Sequence, residues 1–381
     1  MKSKRKIPYI CFFGTYDRDY TSNRMILDGL KQNGVKILEV NANTKVTKLT
    51  TKVEMSWLAI LSRILKKYRI VSEVWKNRKK LRNVDVIYVG YPGHVDVLAA
   101  YIVAKIFRKK LVFNPLLIIY NGFADEQGIL NKTSLLGKAI KFTESLIYNL
   151  CDVVFADTPF QHEHLRDDFG VPARKLRVLP IGADSKGYVY TPYKNTMSKK
   201  VNVVYYGLYS PIHGVEHIIE AARLLRSDPD VRFTMIGQGN TFKKNYARAK
   251  KLGLKNITFY HDIPESEHLP LLQSADIFLG FLQKHPTVDR VIPNKVYQGL
   301  ALGRVVLTAD SPVTRSVFSH KENAYLCKPA DPMALVVAIN TLKNDPELRT
   351  TIAANGYQMY KKSFTPKAVG KQLVTYIQEI L

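Results

Sequence analysis

Short apolar runs rich in β-branched residues recur along almost the whole 381-residue chain, each closed by a turn or by a segment with helical spacing. The first series lies at 7–13, 35–40, 84–89, 110–114, 152–157 and 175–179. A second follows at 201–206, 231–236, 256–260, 275–280 and 304–308. These runs lack the polar alternation of a strand with one wet face. They predict strands buried on both sides, and therefore parallel sheets covered by helices on both faces. Between the series, residues 185–200 are polar, with Gly, Pro and Tyr at no fixed spacing, which predicts a linker. The chain length fits two domains of ordinary size, 1–184 and 201–365, followed by an amphipathic helix over 366–381.

The stretch 288–310 carries the densest chemistry. Asp289, Arg290 and Asn294 open it as a loop of hydrogen-bonding groups. A short helix is expected over 295–302, stopped by Gly303, and residues 304–308 read as a buried strand. Such a unit puts the loop and the helix N-terminus at the carboxyl edge of a parallel sheet, where open α/β sheets bind ligands. The positive end of the helix dipole favours an anion there, and Lys295 adds a full charge.

This stretch resembles the donor segment of group 1, family-4 retaining glycosyltransferases with the GT-B fold. In that family a Glu, seven residues and a second Glu precede an Ala-x-Gly-x-Pro-Val-Ile pattern. Leu300-Ala301-Leu302-Gly303-Arg304-Val305-Val306 matches its tail, and the two glutamate positions fall on Arg290 and Gln298. In the family the second glutamate holds the nucleotide ribose and the first touches the donor sugar. Gln298 still accepts and donates a hydrogen bond to a hydroxyl, whereas Arg290 only donates and suits a phosphate or an acidic sugar. The resemblance implies two doubly wound Rossmann-like domains facing across a cleft, with the closing helix crossing back to the first. The second domain would bind a nucleotide-diphosphate sugar as co-substrate, with no cofactor and no metal.

Carried residue by residue, the resemblance assigns Gly207 and Gly214 to the donor's diphosphate. His213 stands where related enzymes have a lysine, and an imidazole is charged at neutral pH only if its pKa is raised. Arg290 and Lys295 are expected to supply the missing charge, so His213, Arg290 and Lys295 form the expected catalytic set. Gly237 and Gly239 match the family's Gly-x-Gly beneath the nucleotide base, with Asn294 and Gln298 completing the donor site. Asp262-Ile263-Pro264 falls on a loop that often touches the base. On the acceptor side the family's glycine-containing loop falls at Gly14, which brings Arg18, Tyr20 and Arg24 to that site. His94, in Gly90-Tyr91-Pro92-Gly93-His94, is a candidate acceptor group, and Asp125 and Glu126 are the nearest carboxylates for a base. Asp17-Arg18-Asp19 fits a D-x-D metal pattern, but that triplet is common by chance.

Charge points to an acidic partner: 57 Lys and Arg against 32 Asp and Glu give a net +25. Residues 56–82 concentrate it, with nine cations against Glu73. In the same segment Trp57, Leu61, Ile64, Tyr68, Val71 and Trp75 recur at helical steps. This apolar stripe either packs on its own domain, leaving the basic face in water, or lies on an anionic membrane. The cysteines, Cys11, Cys151 and Cys327, are far apart and odd in number, which fits a reducing cytoplasm. The basic start leads directly into a strand, so no signal peptide is expected.

Together these features predict a glycosyltransferase acting with retention on a lipid-linked or polysaccharide acceptor, in cell-envelope or exopolysaccharide synthesis. It would be cytoplasmic and peripheral on the inner face of the membrane, with no nucleic-acid partner. The alternatives are an epimerase or a non-catalytic protein of the same fold, or a basic membrane- or nucleic-acid-binding protein.

Overall fold

The computed structural model describes residues 7–42, 57–126, 130–184, 187–193, 200–261, 263 and 265–381, with the side chains of 57–68, 265 and 266 left aside. The chain forms two compact units, Met1–Ile181 with Pro366–Leu381, and Gly182–Thr365. The first holds β1 (Tyr9–Gly14), β2 (Lys36–Asn41), β3 (Val86–Val89), β4 (Lys110–Phe113), β5 (Val153–Ala156) and β6 (Leu176–Val178). They pair in parallel in the order β2-β1-β3-β4-β5-β6. The second holds β7 (Val201–Tyr206), β8 (Val231–Ile236), β9 (Ile257–Tyr260), β10 (Ile277–Leu279), β11 (Val305–Ala309) and β12 (Tyr325–Cys327), in the parallel order β12-β11-β10-β7-β8-β9. β12 was not expected; at three residues it carries too little pattern to stand out.

Each sheet is doubly wound, as the unbroken apolar runs require. In the first unit the outward faces of β1, β3, β4 and β5 divide between two cores. Cys11, Phe13, Ile87 and Val89 join one, and Ile10, Phe12, Val86 and Tyr88 join the other. The closing helix Pro366–Ile380 completes the second of these with Val369, Leu373 and Ile377, all buried. Full burial of side chains this size contributes about 1.5–3 kcal/mol each. It crosses helix Thr21–Gln32 at a point where both chains are glycine. A Cβ on Gly370 would lie 2.4 Å from the Gly29 backbone, so only two hydrogens fit between the helices. The return of the last helix to the first unit is thus built into the packing.

Two expectations change. The described part of the linker, 187–193, lies on the second unit. Tyr190 stacks on Tyr357 at 3.7 Å, and the Tyr193 hydroxyl donates to Asp276 at 2.9 Å. These tyrosines are large apolar surfaces that a helical or strand period does not reveal. In helix Trp57–Leu81, Ile70 is buried and Val74 packs inward, whereas Val71 and Trp75 are 65% and 68% exposed. The stripe through Val71 and Trp75 therefore faces outward. The side chains of Trp57, Leu61, Ile64 and Tyr68 lie outside the described residues, as do Asp262 and Pro264.

Candidate active site

In the second sheet the strand order reverses beside β7: β8 and β9 lie on one side of it and β10 to β12 on the other. Ligands of doubly wound sheets bind at the carboxyl ends of strands at such a switch point. Gly207 follows β7 with φ of 135°, and Gly237 follows β8 with φ of 132°. A Cβ on Gly237 would stand 2.0 Å from the Gly207 carbonyl oxygen, and one on Gly207 would stand 3.0 Å from Lys295 Nζ. The two turns are nested, and their lack of side chains leaves backbone next to the lysine. Gly239 crosses the backbone of Tyr209 closely. Gly214 forms the left-handed start of helix Val215–Leu224, and no side chain caps that helix. Helix Asn294–Ala301 likewise begins at Pro293 without a side-chain cap.

Lys295 occupies the second position of that helix and is 5% exposed. Its ammonium lies 4.0 Å from the Tyr205 ring centroid and 3.2 Å from His213 Nδ1. No carboxylate stands within ion-pair distance of it among the described residues. Burial holds the amine well below the usual lysine range. His213 is buried on the facing turn, and burial, with Lys295 adding to it, pushes the imidazole well below its usual value. Its charged form is therefore disfavoured, and Lys295 stands beside it. His213 Nδ1 also lies 2.6 Å from the Tyr205 hydroxyl, which donates to the Leu208 carbonyl. When that hydroxyl turns its proton to Nδ1 instead, the ring proton sits on Nε2.

The remaining donor-side residues gather on the same loop and helix. Arg290 is half-buried in the turn before the helix, its backbone N–H bonded to Thr287 O at 3.1 Å. Asn294 is half-buried, and its side-chain oxygen is enclosed without a hydrogen-bond partner. Gln298 is buried three residues beyond Lys295, on the same face of the helix. Sequence reasoning missed Tyr205, whose ring carries the lysine, and the enclosed hydroxyls of Tyr209 and Ser210, which also find no partner. The cluster of Tyr205, Gly207, Tyr209 and Ser210 at a strand end was the available signal. Buried polar groups without partners cost stability, and functional sites are where chains tolerate them.

In the first unit the acceptor-side residues spread over three places. Gly14 closes β1 with φ of 137°, and a Cβ there would meet Asp96 at 2.9 Å. Asp96 accepts from both the backbone and the hydroxyl of Thr15 at 2.8 Å, which fixes this turn. Nearby, Arg18 pairs with Glu39 at 2.7 Å, Tyr20 stacks on Tyr91 at 4.8 Å, and Arg24 donates to the Asp19 carbonyl. Asp17 accepts from the Asp19 backbone in a local turn. His94 is a different matter: it is 5% exposed, with Nδ1 2.6 Å from the Pro92 carbonyl and Nε2 3.3 Å from Glu144. Glu144 also accepts from the backbones of Ile119 and Tyr120 and from the Tyr148 hydroxyl. His94 thus sits in a buried cluster with Glu144 and Tyr148. Asp125 and Glu126 lie on the wide turn Gly122–Glu126, and Asp125 pairs with Lys132.

Residues 193–359 match the family described as glycosyl transferases group 1. An Escherichia coli (strain K12) protein carrying the name colanic acid biosynthesis glycosyl transferase WcaI is 34% identical over 116 residues, 30% of this chain and 28% of that one. The MMP alpha-(1->4)-mannosyltransferase of Mycolicibacterium hassiacum is 23% identical over 224 residues, 56% of this chain and 51% of that one. The chain spans about half, or less, of the length of the curated relatives it matches. Among solved structures, Anabaena Alr3699/HepE in complex with UDP-glucose superposes with a TM-score of 0.68 at 16% identity. That match covers 98% of this chain and 100% of the other. At such identity the likeness speaks for the fold, which is that of the two-sheet GT-B glycosyltransferases.

Proposed function

We propose that this chain, whose residues 193–359 match the group 1 glycosyl transferases, transfers a sugar from a nucleotide-diphosphate donor to an acceptor hydroxyl with retention at the anomeric carbon. The observation that carries this reading is Lys295, a buried amine with no acid beside it, set among glycine turns at the switch point of a parallel sheet. An unpaired buried cation is costly unless an anion meets it. A diphosphate supplies that anion, and the Anabaena protein, which shares the fold, was solved with UDP-glucose.

In the reaction the bond from the anomeric carbon to the diphosphate oxygen breaks and a bond from that carbon to the acceptor oxygen forms. The acceptor's proton passes to the leaving phosphate oxygen. Negative charge builds on the diphosphate, so groups aimed at it stabilise the transition state most. Lys295 and Arg290 supply charge, His213 donates through Nε2–H, and the uncapped start of helix Val215–Leu224 adds backbone N–H groups. Asn294 and Gln298 are left to meet the ribose and the sugar. The acceptor we favour is lipid-linked or a growing envelope polysaccharide, met at the membrane's inner face, in keeping with the net charge of +25.

A panel of nucleoside diphosphates and their sugars, read by thermal shift, identifies the donor through the rise in midpoint. Release of nucleoside diphosphate only when acceptor is added then establishes transfer. Lys295→Ala and His213→Ala that left both donor affinity and turnover unchanged would overturn the assignment.

A further inference from the structure

The helices covering one face of the first sheet leave large apolar side chains outside. Helix Asp96–Phe107 is apolar around nearly its whole circumference, with Asp96 and Lys105 its only charges. Val97, Ala100, Val103 and Ala104 fill its buried side. Leu98, Ile102 and Ile106, at helical steps on the other side, are 44%, 59% and 69% exposed. The neighbouring helix Leu135–Leu150 does the same with Leu136, Phe142 and Leu146, Phe142 being 71% exposed. Trp75 is exposed likewise on helix Trp57–Leu81, which packs into the same core. Helices apolar all round belong in a protein core or in contact with lipid, and exposed apolar arrays on this scale mark interaction surfaces.

Cations predominate around the array, and the nearby acids Glu73, Asp152 and Asp168 are paired with Lys76, Lys110 and Lys141. Arg78 lies over the Trp75 ring at 4.3 Å, and Lys138 is exposed on helix Leu135–Leu150. At the end of helix Asp96–Phe107 a pocket is lined by Lys105, Arg108, Lys109, Lys110 and Lys175. Its acids are already engaged: Asp85 accepts from the Tyr9 backbone and Asp152 from the Leu111 backbone. Lys105 and Arg108 have no carboxylate within ion-pair distance among the described residues.

We propose that this face of the first unit docks on an anionic lipid bilayer. Leu98, Ile102, Ile106, Leu136 and Phe142 enter the headgroup–acyl boundary, and Lys105 and Arg108 receive lipid phosphate. Apolar burial and attraction to anionic headgroups act together in such binding. Among the described residues no helix is long and apolar enough to cross a membrane, so the contact is with the surface. The inference rests on the transferase reading only for what docking would serve, which is access to a lipid-held acceptor.

The test is cosedimentation of the full chain with phosphatidylcholine vesicles, with and without about one-third phosphatidylglycerol, at rising salt. Wild type should sediment with the anionic vesicles and be released by salt. Ile102→Glu with Phe142→Glu should weaken binding about a hundredfold. Lys105→Gln with Arg108→Asn should weaken it about thirtyfold; Asn is chosen because Arg108 has φ of 54°, a region Asn tolerates. Both pairs should keep the wild-type thermal midpoint and its shift by nucleoside diphosphate. Wild type that stays in the supernatant, or variants that bind as wild type does, would overturn the proposal. So would a wild-type dimer in sedimentation velocity that Ile102→Glu with Phe142→Glu dissociates, because a second copy would then be the occupant. Vesicle binding without any nucleoside-diphosphate shift would leave the docking surface standing and bring down the donor site alone.

Discussion

Replacing Lys295 by Met separates a lysine kept for a ligand from one kept for the fold. The amine is buried beside an imidazole and over an aromatic ring, with no acid to offset its desolvation. Its pKa lies below that of the unfolded chain, so burying the amine costs stability at every pH below the unfolded value, at about 1.4 kcal/mol per pKa unit once pH is below the folded value. That loss fades as pH rises from the folded value to the unfolded one of about 10.4. Methionine fills a similar volume with no charge, and replacing buried ionic groups by apolar ones of like size stabilises by about 1–4 kcal/mol. Lys295→Met should therefore raise the midpoint of the second unit by several degrees at neutral pH, at about 2–4 °C per kcal/mol.

Affinity should move the other way. An ammonium about 4 Å from a phosphate charge gains roughly 4 kcal/mol at an effective dielectric near 20. Desolvation offsets part of this, leaving a loss of about 2–3 kcal/mol, or roughly 30- to 150-fold in Kd for the nucleoside diphosphate. An anion also raises the depressed values of Lys295 and His213, so wild-type binding should take up protons and weaken as pH rises. Calorimetry in buffers of different ionisation heat counts those protons, and differential scanning gives the midpoint. A variant that is less stable than wild type yet binds the diphosphate equally well would refute the reasoning, because Lys295 would then be a structural residue.

Gly370→Ala places a methyl 2.4 Å from the Gly29 backbone and should cost about 1–3 kcal/mol in urea unfolding of the first unit, by forcing the helix crossing apart. Arg349 is fully buried, donating to the Tyr193 hydroxyl and to the Lys343 carbonyl; Arg349→Ala should destabilise the second unit by about 3–5 kcal/mol in the same assay. Burial pushes the Asp157 carboxyl up to about 7, with hydrogen bonds from its own backbone and that of Thr158 opposing the shift. A raised acid binds more protons folded than unfolded, so its contribution is lost as pH rises from about 4 through 7. Asp157→Asn should gain about 4 kcal/mol over wild type at pH 8 and almost nothing at pH 4, as thermal unfolding across pH would show.

The sequence by itself determined the layers and most strand positions. A parallel strand buried on both faces must be a continuous apolar run, and 201–206 and 231–236 coincide with β7 and β8. It also determined that Lys295 opens a helix before a core strand, because Gly303 and the run after it leave little choice. Only the tertiary structure decided what charge each side chain carries and which way it faces. His213 is held toward its neutral form by dry packing and by Lys295, which arrives from a segment 82 residues away. His94 became part of a buried cluster because Glu144, from a distant helix, lies beside its ring. Helix Asp96–Phe107 shows no clear period because it is apolar all round, so its exposed face could be read only from the side it buries. Pattern reports what a segment can bury; contacts between distant segments settle where the remaining charge and apolar surface are left.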